Sequence, residues 1–152
     1  MSSKKDYFNK LIKEINKGDI IALDNDPMAY YIIDTLKNEN KKVSIISIST
    51  DVIQYVAKYT NFNLILPNGK VNHAFHVITG IHETNTYKKY QIQFYFAVIP
   101  YIDGNDLLHT MPEVATIQRA LINQTTEFVV INNPEKVNVS SSNEYHMISE
   151  LY

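Results

Sequence analysis

The segment Asp24-Asn25-Asp26-Pro27 sets two carboxylates one residue apart directly after an apolar run, and paired carboxylates can hold a hard cation or serve as acid and base. A second use competes with both. An Asp just ahead of a Pro also marks a helix start, where the carboxylate accepts a first-turn amide and Pro fills a position whose amide has no helical partner. Capping and the helix dipole explain the pair without any catalysis. His73 and His76 stand three apart, with His82 beyond them. On a helix such a pair could share a metal, but Ala74, Phe75, Val77 and Ile78 read as strand, where positions three apart face opposite sides. No metal is expected.

The chain has no cysteine, which removes thiolate nucleophiles, thiolate zinc sites and disulfides together. No Walker lysine loop, GxGxxG, HExxH or GxSxG occurs, and four glycines in all make a backbone phosphate cradle hard to build. No cofactor is expected. Tyrosine occurs eleven times without interleaved arginine, which suits core edges and subunit contacts better than a base-stacking platform.

The elements that must position these residues follow from periodicity. Phe8, Leu11, Ile12 and Ile15 form the stripe of an amphipathic helix over Lys4 to Lys17, with Gly18 as its stop. Asp19 to Leu23 is a buried strand, and Asp26 and Pro27 open a helix from Met28 to Lys37. The unit repeats with a strand over Val43 to Ile48 and a helix over Asp51 to Tyr59. Further strands are expected at Asn63 to Leu66, Ala74 to Thr79, Phe94 to Ile99, Glu127 to Ile131 and Tyr145 to Glu150, and a helix at Glu113 to Ile122. Strands alternating with helices imply an α/β fold, a largely parallel sheet with helices on both faces. Such sheets bind ligands beyond the carboxyl ends of their strands. The loops of interest are therefore Asp24 to Asp26, Ser47 to Thr50, Pro67 to Gly69, Pro100 to Asp106 and Asn132 to Lys136. Ser140 to Asn143 is a further loop.

At 152 residues and a formal charge of -2, the chain is one compact domain without the positive surface a nucleic acid requires. Arg119 is its only arginine. No apolar run approaches the roughly 20 residues that cross a bilayer, and no apolar segment follows the charged N-terminus. A cytoplasmic protein with no membrane partner is expected.

The order of segments resembles one family. Gly18-Asp19-Ile20-Ile21-Ala22-Leu23-Asp24 is similar to the "GD-hydrophobic-LD" start of the effector-sensing domain of DeoR-type transcriptional repressors. Val43 to Ser49 resembles the "TVVTNS" strand of that domain and Leu66-Pro67-Asn68-Gly69 its "LGG" turn. Gly80, then Phe96-Ala97 through Ile102-Asp103-Gly104, resembles "AFIGxxGID". Glu113 to Arg119 is similar to "EAxxKR", and Val129-Val130-Ile131 with Asn133 to Lys136 to "VLxDxSK". The resemblance implies the fold shared by ribose-phosphate isomerases and CoA-transferase-like proteins, a leading linker-type helix over 1–17 and a sensing domain over 18–152. It implies a non-catalytic regulator, a sugar-phosphate effector and a homo-oligomer. DNA contact would come only from a DNA-binding domain upstream.

The phosphate-receiving positions depart from the family. Its loop of the type Asp-Ser-Gly-Thr-Thr is here Asp24, Asn25, Asp26, Pro27 and Met28. The "TNS" asparagine is Ile48, the first "GG" glycine is Asn68, the "FIG" glycine is Val98, the "KR" lysine is Gln118 and the "DxSK" aspartate is Asn133. The binding positions left by the resemblance are Asp24, Asn25, Asp26, Ser47, Ser49, Asn68, Gly69, Asp103, Glu113, Arg119 and Lys136. The expectation is a phosphate site lost or turned to another metabolite, uncharged or cationic. Alternatives are a sugar-phosphate isomerase or deaminase-like enzyme of the same fold, and a protein-interaction module without a ligand.

Overall fold

The computed structural model describes residues 2–80, 84–140 and 144–151. His82, and Ser141 to Asn143 of the expected loop, lie outside the described residues. The centre is a parallel sheet. Strand β1 (Ile20–Leu23) pairs on one side with β2 (Ser44–Ile46), which pairs with β3 (Asn63–Ile65); on the other side β1 pairs with β6 (Ile92–Ala97), which pairs with β9 (Thr125–Val130). β1 reads as an unbroken apolar run because it is covered on both faces.

Helices α1 (Ser2–Lys13), α2 (Pro27–Asn38) and α3 (Thr50–Tyr59) cover one face, where Phe8, Ile32 and Val52 join Ile21, Ile45 and Phe96. Helix α4 (Pro112–Asn123) covers the other, where Ile117 and Leu121 join Ala22, Tyr95 and Ala97. The alternation along β6 makes this division: Phe94 and Phe96 point to one core, Tyr95 and Ala97 to the other. After β1 the chain winds outward through β2 and β3, then returns to the opposite side of β1 through β6 and β9. The carboxyl ends of β1 and β6 are thus the topological switch point, where open α/β sheets leave a crevice.

Asp26 is the N-cap of α2, extended at φ -157°, and its Oδ2 accepts from Met28 N–H at 2.8 Å. Ser49 caps α3 by accepting from Val52 N–H at 3.2 Å. Asp26→Ala is expected to cost about 1 kcal/mol of stability, measured by urea denaturation, with the midpoint lower and the slope unchanged.

Several boundaries differ from expectation. The first helix ends at Lys13 rather than Lys17, because Asp19 accepts from Asn16 N–H at 2.8 Å and draws the chain into a turn that still buries Ile15. Residues 73–76 form a turn rather than the start of a strand. Asn72 Oδ1 accepts from Ala74 N–H and Phe75 N–H, both at 3.1 Å, so the strands are only β4 (Lys70–Asn72) and β5 (Val77–Thr79).

The expected loops at 100–106 and 132–136 contain strands. β7 (Tyr101–Asp103), β8 (Asp106–His109), β10 (Glu135–Lys136) and β11 (His146–Glu150) form a second, mixed sheet in the order β10-β7-β8-β11. Gly104, at φ 59°, leads the two-residue turn between β7 and β8, a position that needs positive φ in primed hairpin turns. α4 lies between the two sheets, sharing its core with Leu107 and Ile148.

Candidate functional site

A crevice of about 150 Å³ opens at the switch point. Asp24 and Gln118, both buried, form its floor, Ile48, Val98 and Val114 line it, and Phe75, 64% exposed, stands at its mouth. The Asp24 N–H continues the ladder by donating to Phe96 O at 3.0 Å, which fixes the carboxylate just past the strand end. Three donors then meet on one oxygen. Tyr95 Oη–H (2.8 Å), Val98 N–H (2.9 Å) and Gln118 Nε2–H (3.0 Å) all donate to Asp24 Oδ2.

Burial pushes the Asp24 carboxyl up from 3.8 to about 6, against the pull of those bonds. Burial, then the neighbouring Asp24, holds Tyr95 well above its ordinary 10, so its hydroxyl stays a donor. Gln118 Nε2 also donates to Val98 O at 3.0 Å, which uses both amide hydrogens and fixes the amide's orientation. Its Oε1 is buried and has no partner.

The rim is tied together by side chains. Ser47 Oγ–H donates to Leu23 O at 2.6 Å and accepts from Ser49 N–H at 3.1 Å, clamping the ends of β1 and β2. Asn25 accepts from Tyr30 Oη–H at 2.6 Å and donates to Asp51 Oδ2 at 3.3 Å, and the same Asp51 oxygen meets His76 Nδ1 at 3.1 Å. His76 O accepts from Thr50 N–H at 2.9 Å and Thr50 Oγ1 at 3.1 Å. These bonds fasten the β4–β5 hairpin, and with it Phe75, to the start of α3. His109 also lines the crevice. Its Nδ1 accepts from Met111 N–H at 2.9 Å, and burial, then His146, holds the ring below its usual 6.5.

Of the positions named from the sequence, the structure brings Asp24, Asn25 and Ser49 to the crevice and puts Ser47 directly behind it. Asp26 caps α2 and does not line the crevice. Asn68 and Gly69 are exposed in the turn ahead of β4. Asp103 ends β7 and accepts from Val139 N–H at 3.3 Å. Glu113 accepts from Gly80 N–H at 3.0 Å. Arg119 donates to the carbonyls of Met147 and Ile148, bracing β11. Lys136 is exposed on β10. Tyr95, Val98, His109 and Gln118 complete the site. The sequence flagged Val98 and Gln118 only as departures from a motif, and gave no sign of His109, on a strand that begins inside the expected loop at 100–106 and extends past it.

A larger depression, about 520 Å³, lies at the opposite end of the sheet among Lys37, Lys42, Lys58 and Phe62. Lys37 and Lys58 occupy the last turns of α2 and α3, where they complement the helix dipoles. It has neither a buried polar floor nor a switch point, so the smaller crevice is the candidate. Among the described residues no group of three or more His, Asp or Glu is placed to hold a metal, and no helix is long and apolar enough to cross a membrane.

A doubly covered parallel sheet with a polar-floored crevice at its switch point defines a small-molecule-binding α/β domain. The chain matches the model of the DeoR C-terminal sensor domain over residues 2–152 and belongs to that family, the ligand-sensing part of DeoR-type transcriptional regulators. No curated protein matches it.

Proposed function

We propose that the domain is non-catalytic, that a small molecule in the switch-point crevice shifts the arrangement of an oligomeric cytoplasmic repressor, and that this molecule is not a sugar phosphate. The observation that carries the reading is the state of the α2 N-terminus. An anion at a helix start needs free first-turn amides. Here Pro27 has no amide hydrogen, Met28 N–H donates to Asp26 Oδ2 at 2.8 Å and Ala29 N–H donates to Asp26 O at 2.8 Å. The Asp26 carboxylate also stands where a phosphate would sit, and the two would repel. A ligand acts on such a regulator only through its different affinity for two arrangements.

Calorimetry with ribose 5-phosphate and with inorganic phosphate is expected to show no binding tighter than about 1 mM. Micromolar affinity for either would overturn the reading. Catalysis is the second reading, favoured by an Asp24 carboxyl near 6 beside His109 in one crevice. Aldose-ketose isomerisation that disappears in Asp24→Asn would establish it.

A further inference from the structure

We propose that the crevice is built for a small organic ammonium compound, a short amine or amino alcohol that binds through its –NH₃⁺ group to the free oxygen of Asp24. The inference rests on the crevice being the effector site. Asp24 is 9% exposed and forms no ion pair among the described residues. Its three donors all meet Oδ2, which leaves Oδ1 without a donor on a residue that lines the crevice. Gln118, 2% exposed, spends both amide hydrogens and leaves Oε1 without a donor. Asp24 Oδ1 therefore awaits a hydrogen, while Gln118 Oε1 is buried out of a ligand's reach.

The charge of the missing partner follows from the lining. No Lys or Arg lines the crevice, and the one imidazole there accepts at Nδ1 from a backbone amide, so it is an uncharged ring. An anion would meet an uncompensated carboxylate. A neutral ligand would supply donors but leave that charge buried without a counter-ion, which is costly in a dry site. An ammonium group supplies the opposite charge and three donors at once.

The remaining lining suits a carbon chain. Ile48, Val98 and Val114 are apolar, and the Phe75 ring at the mouth offers the aromatic face that attracts ammonium groups. At about 150 Å³ the crevice has the volume of about five waters, which limits the enclosed part of the ligand to a few heavy atoms.

The test uses three small two-carbon probes of different charge: ethanolamine, ethylene glycol and glycolate, each titrated into the whole chain at about pH 8, where Asp24 is ionised. Amide and side-chain resonances of Tyr95, Val98 and Gln118 report on the floor. Ethanolamine is expected to shift them saturably, at least about tenfold more tightly than ethylene glycol, and glycolate not at all. Asp24→Asn should remove the preference for ethanolamine over ethylene glycol, and Gln118→Leu, which takes away one of the three donors that hold the Asp24 carboxylate, should weaken ethanolamine while keeping the preference. Glycolate or ethylene glycol binding as tightly as ethanolamine would overturn the ammonium assignment and leave the crevice as the effector site. No saturable shift at these residues with any probe would overturn both.

Discussion

Asp24→Asn is expected to stabilise the folded domain by up to about 3 kcal/mol at pH 8 and by almost nothing at pH 4. The carboxyl rises from 3.8 to about 6 on folding, with burial as the leading cause. Each unit is worth about 1.4 kcal/mol. A folded-state value above the unfolded one means that the native protein prefers the protonated form. The associated stability is whole below about pH 3.8, declines as the pH rises, and is gone above about 6. Asparagine has the shape of the protonated acid and can still accept from Tyr95 and Val98, but it never ionises. Thermal melts at the two pH values measure the effect, roughly 6–12 °C higher for the variant at pH 8. A variant less stable than the parent at pH 8 would mean that the three donors outweigh desolvation.

An ionised Asp24 therefore weakens the fold at neutral pH, and stability yielded at one residue is a common mark of a binding site. Ser47 and the Asn25–Asp51–His76 chain hold the rim without reference to that charge. A ligand that binds the folded state there would add stability that grows with the logarithm of its free concentration once that exceeds Kd, so melting temperature would rise with ligand concentration. Under the proposed reading, this would connect the buried carboxylate to sensing through one oxygen at the junction of β1 and β6.

The parallel sheet was legible because buried strands such as Ile20–Leu23 and helix starts such as Asp26-Pro27 have local signals that the tertiary structure does not override. The second sheet was not. Tyr101–Asp103 and Asp106–His109 are three and four residues long and carry aspartates, so neither alternation nor apolar content separates them from loop. Their pairing rests on a Gly104 turn and on β11, more than 30 residues away in the chain. Of the site, residues at the ends of β1 and β2 could be named, because a parallel sheet binds ligands beyond the carboxyl ends of its strands, whose positions local pattern shows. Gln118 and His109 could not, because a helix face and a short edge strand reach the crevice only once α4 is laid between the two sheets. Asn68, Arg119 and Lys136 show the converse: a motif position carries a residue's place in a sequence, while the packing of this chain puts them in a turn, against β11 and on an outer strand.

Phe8→Ala is expected to cost about 3–5 kcal/mol, lowering the melting temperature by roughly 6–20 °C, while Lys10→Ala, on the exposed side of α1, should stay within about 0.5 kcal/mol. The sequence presents residues 1–17 as a leading helix separable from the rest, and an appendage of that kind could lose a side chain at little cost. The structure gives Phe8 a buried place, its ring edge-on to Phe96 at 6.3 Å, with Phe96 stacked on Phe94 at 5.6 Å. Phe96 pairs with Leu23 across β1 and β6, and the next residues along those strands lead to Asp24 and Val98, which bond to each other on the crevice floor. The helix that leads into the domain thus rests on the two strands whose ends hold the candidate crevice. Denaturation of both variants measures the coupling of that helix to the core, and a cost below about 1 kcal/mol for Phe8→Ala would show that α1 lies on the domain without being part of its fold.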